Sequence, residues 1–217
     1  MWIWLSHTIN QNTEGYRGEK SLIINQTSSI AQGNSSNSIT FSMHNHLGTH
    51  VDAPYHFLND GATISDYNAS DWVFNFPKII NKALEPGALL TPELVENDIK
   101  TNDNTDIILI KTGFEKYRGT EIYWENTPGY SSDLCGLFIS KYKSLKAIGI
   151  DSISLSSLKH RDEGKKAHIK FLSNNIRIFE DLKLSSIQSP LIKTIVALPL
   201  SIDDLDGGPC SIVANIS

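Results

Sequence analysis

Two short runs, Ile107-Ile108-Leu109-Ile110 and Ala147-Ile148-Gly149-Ile150, contain no polar side chain, so a strand built from either must be buried on both faces. Such strands need covering layers on each side of a sheet. Thr194 to Leu198 reads as a further buried strand, and Pro199 either closes it or puts its end at a sheet edge. Trp2 to Ile9, Ser21 to Gln26 and Ser38 to Met43 alternate as strands, and the polar stretch from Gln32 to Ser38 is expected to be the turn between the last two. Helices are expected in three places. Thr91-Pro92-Glu93 offers an N-cap, a proline at the first helical position and an acid in the first turn. Ser131-Ser132-Asp133 can cap a helix running to about Lys143, and another covers Gly164 to Ser173. Strands interleaved with few helices indicate an α/β (α+β) domain with a mixed sheet, and nothing in 1–217 marks a boundary or a repeat.

The chain is 40% hydrophobic and 20% charged, which suits a globular core, and its formal net charge is -5. That balance does not attract phosphate backbones, so no nucleic-acid partner is expected. The basic residues Lys159, Arg161, Lys165 and Lys166 are interrupted by Asp162 and Glu163 and read as a solvated face. No apolar run approaches the ~20 residues of a spanning helix, so no membrane partner is expected. The segment Met1 to His7 lacks the basic start of a signal peptide. Two cysteines, Cys135 and Cys210, are too few for a disulfide framework. Together these features suggest a cytoplasmic protein.

Of seven histidines, four fall between positions 44 and 56: His44, His46, His50 and His56. His50 and Asp52 are two apart, and in an extended segment they project from the same face. Thr49 and Val51 favour that extension and Pro54 ends it. His46 lies four residues before His50, and Gly48 between them permits a sharp bend. A lone histidine is more often a polar core or surface residue. Two imidazoles and a carboxylate at this spacing instead form a shell suited to Zn, Mn or Fe(II). His56, just past the proline, is close enough in chain to face the same site, where a histidine can move protons.

Residues 46–57, His-Leu-Gly-Thr-His-Val-Asp-Ala-Pro-Tyr-His-Phe, resemble throughout the motif of the cyclase/kynurenine formamidase family of metal-dependent hydrolases. The likeness extends through Lys111-Thr112-Gly113, Pro128-Gly129-Tyr130-Ser131, Gly149-Ile150-Asp151-Ser152 and Asp206-Gly207-Gly208-Pro209. The resemblance implies a barrel-like mixed sheet and a homodimer or homotetramer. It implies one or two divalent cations, zinc with manganese as the alternative. His46, His50 and Asp52 would bind the first; Asp52, His168 and Glu180 would bind a second, with Asp52 bridging. His168 and Glu180 have the family's twelve-residue spacing. His56 would be the acid/base while water ionised by the metal attacks a carbonyl carbon.

The implied activity is hydrolysis of an amide or formamide C–N bond, of the N-formylkynurenine type. The alternatives are opening of an isatin-like lactam, or ring closure of a polyketide-like chain. Arg17 and Glu19 depart from the family's early loop, and Cys210 stands where a larger or basic residue is usual. Tyr16 remains a candidate to stack on an aromatic substrate.

Overall fold

A computed structural model describes residues 1–99, 104–188 and 191–216. In chain order the strands are β1 (Trp2–Trp4), β2 (Ile23–Ser28), β3 (Ser38–Ser42), β4 (His50–Asp52), β5 (Val73–Phe74), β6 (Pro77–Asn81), β7 (Leu89–Leu90), β8 (Ile107–Lys111), β9 (Gly129–Tyr130), β10 (Ala147–Ile150), β11 (Arg177–Glu180), β12 (Ile192–Pro199) and β13 (Gly207–Ile216). The α-helices are α1 (Pro92–Val95), α2 (Glu121–Glu125), α3 (Asp133–Lys141) and α4 (Arg161–Ser173).

The two doubly apolar runs are neighbours. β8 and β10 pair in parallel, flanked by β6 on one side and β11 on the other. Beyond β11 the pairing turns antiparallel, through β4, β13, β12 and β5, and β1 adds to β13. Among the described residues this makes one nine-stranded mixed sheet. Its far strands β12 and β6 approach each other, so the sheet curls into a nearly closed, barrel-like form. The strand pleat divides the core in two. Ile107 and Leu109 point into the barrel with Val51, Phe74, Phe179, Ile195 and Ala214. Ile108 and Ile110 point outward to Phe138 of α3 and Phe171 of α4.

Several expectations need correction. Trp2 to Ile9 is a strand only over Trp2–Trp4; Ser6 makes one bridge to Leu182, and the segment then leaves the sheet. β12 is buried at Ile195 and Ala197 alone among its eight residues, because an antiparallel strand, here between β13 and the short β5, can keep one face toward solvent. β6 was not foreseen: Pro77 and Lys78 disguise a strand that sits where the sheet ends, a place that tolerates both. The helix opened by Thr91 is a single turn, α1. β2 and β3 form the expected hairpin, apart from the main sheet.

Candidate metal centre and active site

The motif at 46–57 crosses the middle of the sheet, and the pairing on each side of β4 collects the other groups. Glu180, the last residue of β11, lies opposite His50, and Gly207 of β13 lies opposite Asp52. Gly48 has φ +70, which turns the chain from His46 into β4, and a side chain there would meet Ile9 at 2.9 Å. Gly207 leaves room for an imidazole: a Cβ at that position would stand 2.5 Å from Cε1 of His46. α4 brings His168 over the end of β11, with Phe57 stacked on its ring at 4.6 Å.

The result is a cluster of imidazoles and carboxylates. His46 Nδ1 is 2.9 Å from Asp52 Oδ1, and His50 Nε2 is 3.4 Å from that same oxygen. His50 Nε2 also lies 3.4 Å from Glu180 Oε2. His168 Nε2 faces Glu180 Oε1 at 3.3 Å and Asp52 Oδ2 at 3.6 Å. Thus His46, His50, Asp52, His168 and Glu180 come together in one cluster. Each buried histidine has its other nitrogen tied to backbone. His50 Nδ1 donates to Gly48 O and His168 Nδ1 to Gly164 O, both at 2.8 Å. Those bonds leave Nε2 as the inward-facing donor atom, the usual outer support of a metal-binding histidine. Leu155 N donates to Glu180 Oε1 at 2.8 Å and fixes that carboxylate.

One residue at the centre went unassigned in the sequence: Asp206, just before β13. Its Oδ2 accepts from His46 Nε2 at 3.0 Å and from His56 Nδ1 at 2.7 Å. Asn45 Nδ2 donates to Asp206 Oδ1 at 2.7 Å. In the sequence it stood within Asp206-Gly207-Gly208-Pro209, a stretch resembling the family's final strands, with no role given to the acid; its relation to His46 exists only once β13 lies beside β4. His56 sits on the short turn Pro54–His56, with its ring 4.1 Å from that of His46.

The electrostatics are those of a site that wants positive charge. Burial pushes His46 down, yet the carboxylates of Asp206 and Asp52 overcome it and raise it to about 9. Burial likewise opposes His50 and His168, and their carboxylate neighbours hold both above the ordinary histidine value. Burial would raise Asp52, but His46 and His50 keep it well below the usual carboxylate range. Asp206 is held low first by its bond from His46. Asp52 Oδ2 is buried and has no hydrogen-bond partner. An ionised buried oxygen without a donor is costly, and a cation would satisfy it. Among the described residues, two ligand sets are close enough for one ion, His50/Asp52/Glu180 and His46/Asp52/His56. The residues therefore fit a divalent metal.

A cavity of about 540 Å³ opens over the cluster. Tyr16 lines it, on the turn Tyr16–Gly18, together with Phe57 and Ile153. Arg161, Asp162 and Lys165 line it too, so part of the supposed solvated face looks into the site. His44 is exposed and 3.9 Å from Glu19, and His160 bonds Gly87 O; neither joins the cluster. A larger cleft, about 850 Å³, lies between the β2–β3 hairpin and strands β1, β12 and β13 and holds none of the cluster residues.

A mixed barrel-like sheet carrying a buried histidine–carboxylate cluster under an open cavity defines a class: α/β proteins whose clustered side chains fit a divalent cation. The chain belongs to the "Putative cyclase" family, whose model matches residues 3–157. It is 27% identical over 216 residues to the kynurenine formamidase of Bacillus cereus, covering 96% of this chain and 94% of that protein. Its fold is similar to that of isatin hydrolase A from Labrenzia aggregata bound to benzyl benzoate, with TM-score 0.83 and 20% identity over 99% of this chain and 93% of that one. A potential metal-dependent hydrolase with cyclase activity has the same fold, with TM-score 0.78 and 20% identity over 99% and 96% of the two chains.

Proposed function

We propose that this protein is a metal-dependent amidohydrolase that cleaves the C–N bond of an aryl formamide of the N-formylkynurenine type. The observation that carries the reading is Asp52, a buried carboxylate whose Oδ1 faces His46 and His50 and whose Oδ2, 3.6 Å from His168 Nε2, has no hydrogen bond among the described residues. His46, His50 and Asp52 would hold one cation, and Asp52, His168 and Glu180 a second. Imidazole and carboxylate donors suit zinc, with manganese the alternative. A cation held there supplies Lewis acidity toward the carbonyl oxygen and lowers the pKa of water from about 16 to roughly 7.

The chain's own residues do the rest. His56 has Nδ1–H committed to Asp206, which leaves Nε2 to move a proton to the departing nitrogen. Asp206 holds that ring and His46 from one oxygen, and Asn45 holds Asp206. Tyr16 and Phe57 line the cavity and would flank an aryl ring there. The test is turnover of N-formylkynurenine and isatin by purified protein whose metal content is measured on the same sample. Formamide cleavage that tracks metal content supports the reading. Lactam opening without formamide cleavage would move the activity to the isatin type, and ring closure without hydrolysis would make it a cyclase.

A second copy of the chain is the proposed partner, as homodimer or homotetramer. Trp2, Trp4, Ile23, Ile39, Phe41, Leu198, Leu200 and Ile202 are each about half exposed or more. Most of them lie on or beside the β2–β3 hairpin and the strand ends that flank the larger cleft. A two-stranded ribbon is marginal in water without a covered face. The exposed apolar surface is roughly 900 Å², at about 150–250 Å² per large side chain; a standard interface takes about 800 Å² per partner. We place the enzyme in the cytoplasm. Cys135 and Cys210 are both buried and unpaired, and burial pushes the Cys135 thiol up to about 11, so both suit a reducing compartment. No helix among the described residues is long and apolar enough to cross a membrane.

A further inference from the structure

The cavity wall carries charges that the cluster does not use. α4 contributes Arg161, Asp162 and Lys165 to the wall as well as His168. Positions 161, 165 and 168 fall on one helical stripe, so the three side chains form a ladder up the wall. Lys165 stands about 4.5 Å above His168 along the helix axis and Arg161 about 10.5 Å above it, at 1.5 Å per residue. Asp162, next in sequence to Arg161, also lines the cavity. Among the described residues, none of the three makes an ion pair or a side-chain hydrogen bond. Elsewhere on α4 the charges are matched: Lys166 lies 3.9 Å from Glu163, and Lys170 bonds Asp133 at 3.0 Å.

Resting on the formamidase reading, we propose that Arg161, Lys165 and Asp162 form a subsite for a zwitterionic α-amino-acid head group. Lys165 and Arg161 take the carboxylate, and Asp162 takes the ammonium. With a formyl carbon at the cluster, an aryl ring and a three-carbon arm put a carboxylate roughly 7–9 Å away by ordinary bond lengths. That span falls between the two cationic rungs. Tyr16 and Phe57 border the space the ring would cross. Kynurenine carries such a head group and isatin carries none, so the ladder selects between the two substrate types. The sequence hid the subsite because a run of mixed charge looks the same whether it faces bulk water or a cavity.

The experiment compares two formamides on the metal-loaded protein: N-formylkynurenine and N-formyl-2-aminoacetophenone, which keeps the aryl formamide and lacks the amino acid. The readout is the ratio of their kcat/KM values, in the native protein and in Arg161→Ala, Lys165→Ala and Asp162→Asn. The native ratio should favour the amino acid at least tenfold, chiefly through KM, and should fall as salt rises. Each substitution should reduce the ratio about three- to thirtyfold, as expected for a charged contact that is part-exposed. A native ratio near one, or a ratio the substitutions leave alone, overturns the subsite while formamide cleavage itself stands. Failure of the native protein to cleave either compound overturns the formamidase reading and the subsite with it.

Discussion

In the metal-free protein the cluster supplies its own cations, and this makes stability depend on pH in a specific direction. His46 donates from both ring nitrogens to carboxylates, Asp52 and Asp206, and its pKa is raised from 6.5 to about 9. In the unfolded chain it titrates near 6.5, so the folded form binds the proton more tightly. The stabilisation is fully present below pH 6.5 and is lost as pH rises through about 9. A shift of that size corresponds to about 3 kcal/mol, as a ceiling because His50 shares the Asp52 carboxylate. For a chain of this length, 1 kcal/mol moves Tm by roughly 2–4 °C, so Tm should fall about 6–12 °C between pH 6 and pH 9.5. Bound metal replaces the protons, so the loaded protein should not show this loss. Metal uptake should release protons, and affinity should rise about tenfold per pH unit per proton displaced. Scanning calorimetry of chelator-treated and loaded protein across this range provides the assay. A metal-free Tm that is flat or climbs from pH 7 to 9 would refute the assignment of His46 as the cluster's charge carrier.

Other perturbations separate binding from chemistry. His56→Ala should keep the metal and lose turnover by ~10²–10⁴-fold; loss of metal by elemental analysis would make His56 a ligand. Asp206→Asn removes the acceptor shared by His46 and His56, so metal affinity or kcat should drop ~10–100-fold, and Asp206→Glu should recover part of it; an unaffected Asn variant would remove Asp206 from the mechanism. Phe41→Glu, at a residue 60% exposed on β3, should shift the light-scattering mass toward a single chain; an unchanged mass larger than one chain would put the interface elsewhere.

How much of this was visible in the sequence varies by residue. His50 and Asp52 were legible because a strand's two-residue repeat fixes their common face from local sequence. The bend at Gly48 was legible for the same local reason. His168 and Glu180 were placed by a family spacing, since helix α4 and strand β11 meet through tertiary packing, Phe171 and Ile178 sharing one core. Asp206 could not be read, because its role depends on β13 lying antiparallel to β4, about 150 residues apart in chain. Arg161 and Lys165 are exposed, as a solvated face requires, but helical periodicity could not show that this face borders the cavity. Likewise β12 was expected to be buried because it is apolar, though in its antiparallel place only Ile195 and Ala197 are fully covered.

Anomalous diffraction at the zinc edge from crystals grown with the metal tests the centre most directly. One or two peaks bonded by His46, His50, Asp52, His168 and Glu180, with Asp52 touching both where two occur, are the expected result. A cluster with no peak under saturating zinc, or a cation bound away from Asp52, would contradict it.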